Sequence, residues 1–324
     1  MVGLISPIEL LNVYIVESLA QSIVASLLVL PIVVFFVKSP AARVRFLMAP
    51  LLIPAVGPPL YYLLVPNRQQ LPVIPLDRIL GLKQGLSFVS QWPAFTTALA
   101  IAFVLVALYF LTRGAVAMAV ASYLPRRYAR LTLQQSRRLE GIMAPLVAGS
   151  QVASPALLLS PSPYPSCCVF GLRKPYLLVS QGLMEGLDDE HLEAVLAHEI
   201  SHFVRRDQYL TLGLFALRSI LFFNPLVHLL CRAITEEQEM ACDALAIRLG
   251  QKPVTYVRSL LRVCRPASAP ARWEPATSGF LTRSATLHRR VTAILERGGE
   301  EGPERRPLLL AVMGSLLVIL FFIC

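Results

Sequence analysis

Charge is what this chain has little of. Only 15% of its 324 residues are Asp, Glu, Lys or Arg, while 55% are hydrophobic. Soluble domains carry about a quarter charged residues, so the composition excludes an ordinary soluble globule and points to a membrane protein. The six cysteines, at 167, 168, 231, 242, 264 and 324, lack the paired spacing of a cysteine-held metal site, and the adjacent Cys167 and Cys168 are expected to be packed, not bridged. The N-terminus lacks a basic start and carries Glu9 and Glu17. It therefore does not read as a cleaved signal peptide, and the first apolar segment is expected to stay as an anchor. No internal repeat is visible.

What is present is a set of long uncharged runs. Ser18–Val37, Phe46–Pro66, Gln84–Thr112 (spanning from about Trp92) and Pro307–Cys324 each hold at least 18 residues without a charge. At about 1.5 Å per residue, each reaches roughly the 30 Å of a bilayer's hydrocarbon core. They predict four transmembrane helices, at about 18–37, 46–66, 92–112 and 307–324. The second contains Pro50, Pro54, Pro58 and Pro59 and is expected to be kinked or partly unwound. Lys38, Arg43 and Arg45 follow the first run, Arg113, Arg126, Arg127 and Arg130 follow the third, and Arg305 and Arg306 precede the last. The positive-inside rule places these regions in the cytoplasm. Both termini are then extracytoplasmic, and the chain divides into a membrane domain (1–125), a cytoplasmic domain (126–306) and a last membrane helix (307–324). The net charge of +10 mostly flanks the apolar runs, which favours anionic lipid over nucleic acid as its partner.

Within the cytoplasmic block, short β-prone runs bounded by Gly and Pro, such as Val169-Phe170-Gly171 and Tyr176-Leu177-Leu178-Val179, predict a small sheet. Asp188, Asp189 and Glu190 open a helix, where acids suit the positive helix start. The run Gln208–Cys231, split by Arg218, is too short on either side to cross a bilayer. It is expected to form a buried or membrane-hugging helix pair broken at Asn224-Pro225.

The helix opened at 188 contains His198-Glu199-Ile200-Ser201-His202. Histidines four apart project from one face of a helix and can share a metal ion. A glutamate beside them can take a proton from water without ligating the ion itself, which is the zinc-site pattern H-E-x-x-H. A catalytic zinc site uses three protein ligands plus water, so a third is needed downstream. The acidic cluster Glu236, Glu237, Glu239 and Asp243 is its expected source. Glu239 and Asp243 share a helix face, so one can bind the metal while the other accepts the distal N–H of a ligand histidine. His191 is expected at the surface, His228 packed, Cys242 a small buried neighbour of the site, and the arginines at 283–306 a membrane-facing belt.

These motifs, with Phe223-Asn224-Pro225-Leu226-Val227, Glu239-Met240-Ala241-Cys242-Asp243-Ala244 and the lead-in 169–179, resemble the M56 family of membrane metallopeptidases, the BlaR/MecR type. The M48 group is more distantly similar. The resemblance implies a mostly α membrane protein, with a cytoplasmic α+β zincin-like (gluzincin) metalloprotease domain between membrane helices three and four. It also implies one Zn2+ per chain held by His198, His202 and Glu239, Glu199 as catalytic base, and Asp243 in support of a ligand histidine. The implied substrate is a cytoplasmic or membrane-proximal protein, a transcriptional repressor or the chain itself. The chain carries no S-x-x-K motif, so sensing of β-lactams through a covalent serine is not expected of it. Tyr176, Leu177, Leu178 and Val179 are expected to bind substrate backbone by strand addition at an exposed sheet edge. Competing readings are a non-catalytic membrane signalling scaffold and an M48-like quality-control protease.

Overall fold

A computed structural model describes residues 7–64, 93–123, 128, 131–150, 152–172, 174–263, 284–298 and 314. Nearly all of the fourth apolar run, 307–324, lies outside these residues. The described elements are, in order, α1 (Pro7–Phe35), α2 (Pro40–Leu64), α3 (Pro93–Tyr123), α4 (Leu133–Ser150), β1 (Ala156–Ser160), β2 (Cys167–Phe170), β3 (Tyr176–Ser180), α5 (Gln181–Gly186), α6 (Asp189–Val204), α7 (Asp207–Ile220), α8 (Pro225–Arg248), α9 (Pro253–Val263) and α10 (Ser284–Arg297). They fall into two compact units. One comprises Met1–Gly114, Leu214–Thr235 and Pro303–Cys324, the other Ala115–Gly213 and Glu236–Gly302.

In the first unit, α1 and α2 supply two stretches long and apolar enough to cross a membrane, Tyr14–Phe35 and Pro40–Leu60. The described apolar stretch of α3, Ala100–Val116, is shorter. Helix α1 buries Ser18, Gln21, Ser22, Ala25, Ser26 and Val29, and turns Leu27, Leu30, Val34 and Phe35 outward. A soluble helix does the reverse. Small and polar residues inside with large apolar ones outside is the pattern of a helix solvated by lipid, where backbones approach closely and hydroxyls bond between helices. Gly57 of α2 leaves room for the buried Gln21 side chain, since a Cβ there would stand 2.9 Å from its Oε1. Asn224 Nδ2 donates to Ser22 Oγ at 2.6 Å. The break expected at Asn224-Pro225 separates α7 from α8. Despite its four prolines, α2 is assigned as one helix from Pro40 to Leu64.

The second unit packs helices on a three-stranded sheet of order β1-β3-β2. β1 and β3 are parallel, with Leu158 opposite Leu178. β2 and β3 are antiparallel, with Val169 opposite Leu177. Gly171, at φ 95°, takes the left-handed turn that leads out of β2. One core joins Leu139, Met143 and Leu146 of α4, Leu177 and Val179 of β3, Leu192, Val195, Leu196 and Ile200 of α6, Tyr256, Val257 and Leu260 of α9, and Ile294 of α10. Helix α6 starts at Asp188, whose carboxylate accepts from the His191 backbone N–H at 2.9 Å.

The sheet corrects one expectation. Tyr176, Leu177, Leu178 and Val179 are not on an edge, because β3 is the middle strand and is paired on both sides. Its backbone has no free row of donors and acceptors for a substrate strand. The sequence showed short β-prone runs but not their order, and here β1 passes over its neighbour in sequence to pair with β3.

Candidate metal centre

Helix α6 brings His198 and His202 to one face, with their ring centroids 4.8 Å apart and planes at 89°. Helix α8 brings Glu239 against them. His198 Nε2 and His202 Nε2 are 3.2 Å apart. Glu239 Oε2 lies 3.4 Å from the first and Oε1 3.6 Å from the second. Donors bound tetrahedrally at about 2.0–2.1 Å from one zinc ion stand roughly 3.3–3.4 Å from each other. The observed distances, 3.2–3.6 Å with one Glu239 oxygen toward each imidazole, lie close to that spacing, and two imidazoles with a carboxylate are a zinc-type donor set. The residues fit the metal.

Each histidine is fixed from behind. His198 Nδ1 meets the Tyr256 hydroxyl at 2.8 Å, and that hydroxyl donates to Asp243 Oδ1 at 2.8 Å. Asp243 Oδ1 is itself 3.2 Å from His198 Nδ1. His202 Nδ1 meets Asp207 Oδ2 at 2.9 Å, which Arg205 Nε also approaches, at 3.4 Å. With Nδ1 of each ring held by an acceptor, both Nε2 atoms face Glu239, the arrangement that orients metal-binding imidazoles. The Cys242 thiol sits 3.1 Å from Asp207 Oδ2 and 3.2 Å from His202 Nδ1. His202, Asp207 and Cys242 thus form a second, overlapping group of potential donors. Their short mutual bonds make them a brace behind the ring, and burial together with Asp207 keeps the thiol protonated.

The electrostatics follow from burial. His198, Glu199, Glu239 and Asp243 are all buried. Burial alone would raise the carboxylates, but the His198 hydrogen bond and the charges of Arg290 and His202 outweigh it and hold Glu239 at about 2. Asp243 is held below the usual carboxylate range, with Arg290 and His198 outweighing its burial. Burial would lower His198, yet its bonds to Asp243 and Glu239 lift it to about 9 in the metal-free protein. Glu199 shifts upward, because burial outweighs the pull of both histidines. Its Oε2 accepts one hydrogen bond, from the Val169 N–H of β2 at 3.2 Å. A glutamate whose charged and neutral forms are brought closer in energy is suited to exchanging a proton with water.

The candidate residues His198, Glu199, His202, Glu239 and Asp243 therefore come together, while Tyr176–Val179 are occupied as the middle strand. Glu236 and Glu237 face Arg289 of α10 instead of the imidazoles. Four participants were not read from the sequence: Asp207, Tyr256, Val169 and Arg290. Arg290, assigned above to a membrane-facing belt, is fully buried and bonds to both Glu239 and Asp243.

Two helices long and apolar enough to cross a membrane and, among the described residues, a group of three potential metal donors built on H-E-x-x-H are the features of the membrane metallopeptidase class. The family described as BlaR1 peptidase M56 matches residues 81–294, and the chain belongs to that family. It is 32% identical over 97 residues to the regulatory protein BlaR1 of Bacillus licheniformis, covering 30% of this chain and 16% of that one. It is 24% identical over 195 residues to a protease HtpX homolog of Methanopyrus kandleri, covering 50% and 60%. A chloroplastic plastoglobule-localized metallopeptidase 48 of Arabidopsis thaliana is 26% identical over 136 residues, 39% of each chain. The matches thus cover less than two thirds of the length of each of these relatives.

Proposed function

We propose that this protein is a membrane-anchored, zinc-dependent endopeptidase whose catalytic unit faces the cytoplasm. One observation carries the reading: the triangle of His198 Nε2, His202 Nε2 and Glu239, with edges of 3.2, 3.4 and 3.6 Å, beside the buried Glu199. Membership of a peptidase family supports it. The cytoplasmic placement rests on Lys38, between the two apolar helices, and on Arg43 and Arg45 in the first turns of the second.

Bound by His198, His202 and Glu239, zinc would supply Lewis acidity, lowering the pKa of a water and polarising a peptide carbonyl. Glu199 takes the proton of the attacking water and returns it to the leaving nitrogen. The Val169 N–H holds Glu199 Oε2 and leaves Oε1 to face the water. Asp243, Tyr256 and Asp207 keep each imidazole in one tautomer. His202 is the most open of the three donors, its side chain 18% exposed, so substrate enters past it. One zinc per chain and a protein substrate near the membrane, a repressor or the chain itself, complete the proposal. A broader, M48-like cleavage of membrane proteins is the second reading, favoured by the longer match to the HtpX homolog. Comparing protein fragments from cells that carry wild-type or Glu199→Gln chains separates the two. One preferred site supports the first reading and many sites the second. Full cleavage by Glu199→Gln, with zinc bound, would overturn both.

A further inference from the structure

We propose that Arg290 is a positioning residue of this centre, one that holds Glu239 in the orientation that completes the donor triangle. The inference rests on reading His198, His202 and Glu239 as metal donors. Arg290 is wholly buried, and its three nitrogens converge on two carboxylates. Nε donates to Asp243 Oδ2 at 2.7 Å, NH2 to Asp243 Oδ1 at 2.6 Å, and NH1 to Glu239 Oε2 at 3.0 Å. This planar fork ties the third donor to the carboxylate behind His198, so neither can rotate without breaking a charge-assisted bond. Glu239 Oε1 is left toward His202 Nε2.

Docking of α10 does not depend on this contact alone. Arg289, its neighbour, reaches Glu236 at 2.9 Å and Glu237 at 3.4 Å with half its side chain exposed. Thr286 approaches Glu236 at 3.4 Å, and Ile294 enters the core. The two arginines divide the work: one anchors the helix at the surface of α8, the other reaches through to the donors. A lysine cannot replace the second, since one ammonium cannot bond three oxygens in a plane.

The test uses the full-length chain in detergent, with zinc titrated against a chromophoric chelator and cobalt(II) absorption as a readout of coordination. Arg290→Lys is expected to weaken zinc roughly 10–100-fold, the usual cost of losing a group that orients a ligand. It should also alter the cobalt spectrum while keeping the helical circular dichroism. Arg289→Ala is expected to bind zinc as wild type does. Unchanged zinc affinity and cobalt spectrum in Arg290→Lys would overturn the proposal. So would equal weakening by Arg289→Ala, because docking of α10 alone would then explain the effect. Should Arg290→Lys lose its helical signal, the double variant Arg290→Met, Asp243→Asn removes the buried charge together with a partner. Zinc binding by the folded double variant that is weaker than by Asp243→Asn alone supports the proposal, and affinity equal to that of Asp243→Asn overturns it. A wild-type chain that binds no zinc defeats the donor reading itself, a different result from wild-type binding that Arg290→Lys leaves intact.

Discussion

Tyr256 stands between His198 and Asp243, its hydroxyl 2.8 Å from each. The residue comes from α9, whereas the histidine comes from α6 and the aspartate from α8. Three helices thus meet at one phenol, whose oxygen accepts from His198 Nδ1–H and whose O–H donates to Asp243. The direct His198 to Asp243 distance, 3.2 Å, is longer than either leg of the bridge. Tyr256→Phe should therefore weaken zinc without abolishing it, by about tenfold. It should also cost about 1–2 kcal/mol of stability, as expected when a buried hydrogen-bonded hydroxyl is lost. Chelator competition and thermal melts measure the two effects. Zinc affinity equal to wild type would mean that Asp243 orients His198 by itself.

Zinc and acid should act in opposite senses on stability above neutrality. In the metal-free protein His198 is raised from 6.5 to about 9. Its contribution to stability is complete below about pH 6.5 and is lost as pH rises through 9. Glu239 is lowered from 4.5 to about 2, so its contribution is present above about pH 4.5 and is lost as pH falls toward 2. The metal-free chain should be most heat-stable between those limits. Zinc must displace the proton on His198, so its affinity, and the stabilisation it confers, should climb with pH up to about 9. Melts from pH 4 to 10 with and without zinc test this, and parallel curves would contradict it.

How far the sequence carried depends on the distance over which each relationship acts. The pair His198 and His202 was legible because helix periodicity fixes neighbours one turn apart, and the same rule placed Glu239 and Asp243 on one face. Asp207 is only five residues beyond His202, yet it was missed. Its carboxylate reaches the ring through a left-handed turn at Arg206, φ 57°, and nothing in an arginine announces that conformation. Tyr256 and Arg290 lie far along the chain from their partners, on helices whose docking no local pattern specifies. Arginines near an apolar run look like lipid anchors until a structure shows one buried. The strand run at 176–179 was recognised as a strand, but an edge and a middle strand of this length read alike.

Arg206 tests the turn itself. A side chain at φ 57° costs about 1–2 kcal/mol relative to glycine for ordinary residues. Arg206 is exposed, so its substitution isolates backbone strain. Arg206→Gly should be neutral to about 1 kcal/mol stabilising, the relief being partly offset by glycine's greater freedom when unfolded. Arg206→Val should be destabilised by about 1–2 kcal/mol relative to Arg206→Gly, with zinc loosened as Asp207 drifts from His202. Equal melting of the valine and glycine variants would show that the turn is not strained.

The paired strands β2 and β3 should respond differently to proline. In β3, Leu178 is paired on both sides, so Leu178→Pro should break the sheet and lose zinc binding and turnover together. In β2, the Val169 N–H goes to Glu199 Oε2 instead of to the neighbouring strand. Val169→Pro removes that donor at an edge, where the fold tolerates proline. The N–H favours the charged form of Glu199, while burial favours the neutral one. Without it the carboxyl should titrate higher, and a base must be deprotonated to work. The acid limb of the pH–rate profile should then move to higher pH in Val169→Pro, with turnover near neutrality down roughly tenfold and zinc still bound. An unmoved acid limb would mean that Glu199 does not set it.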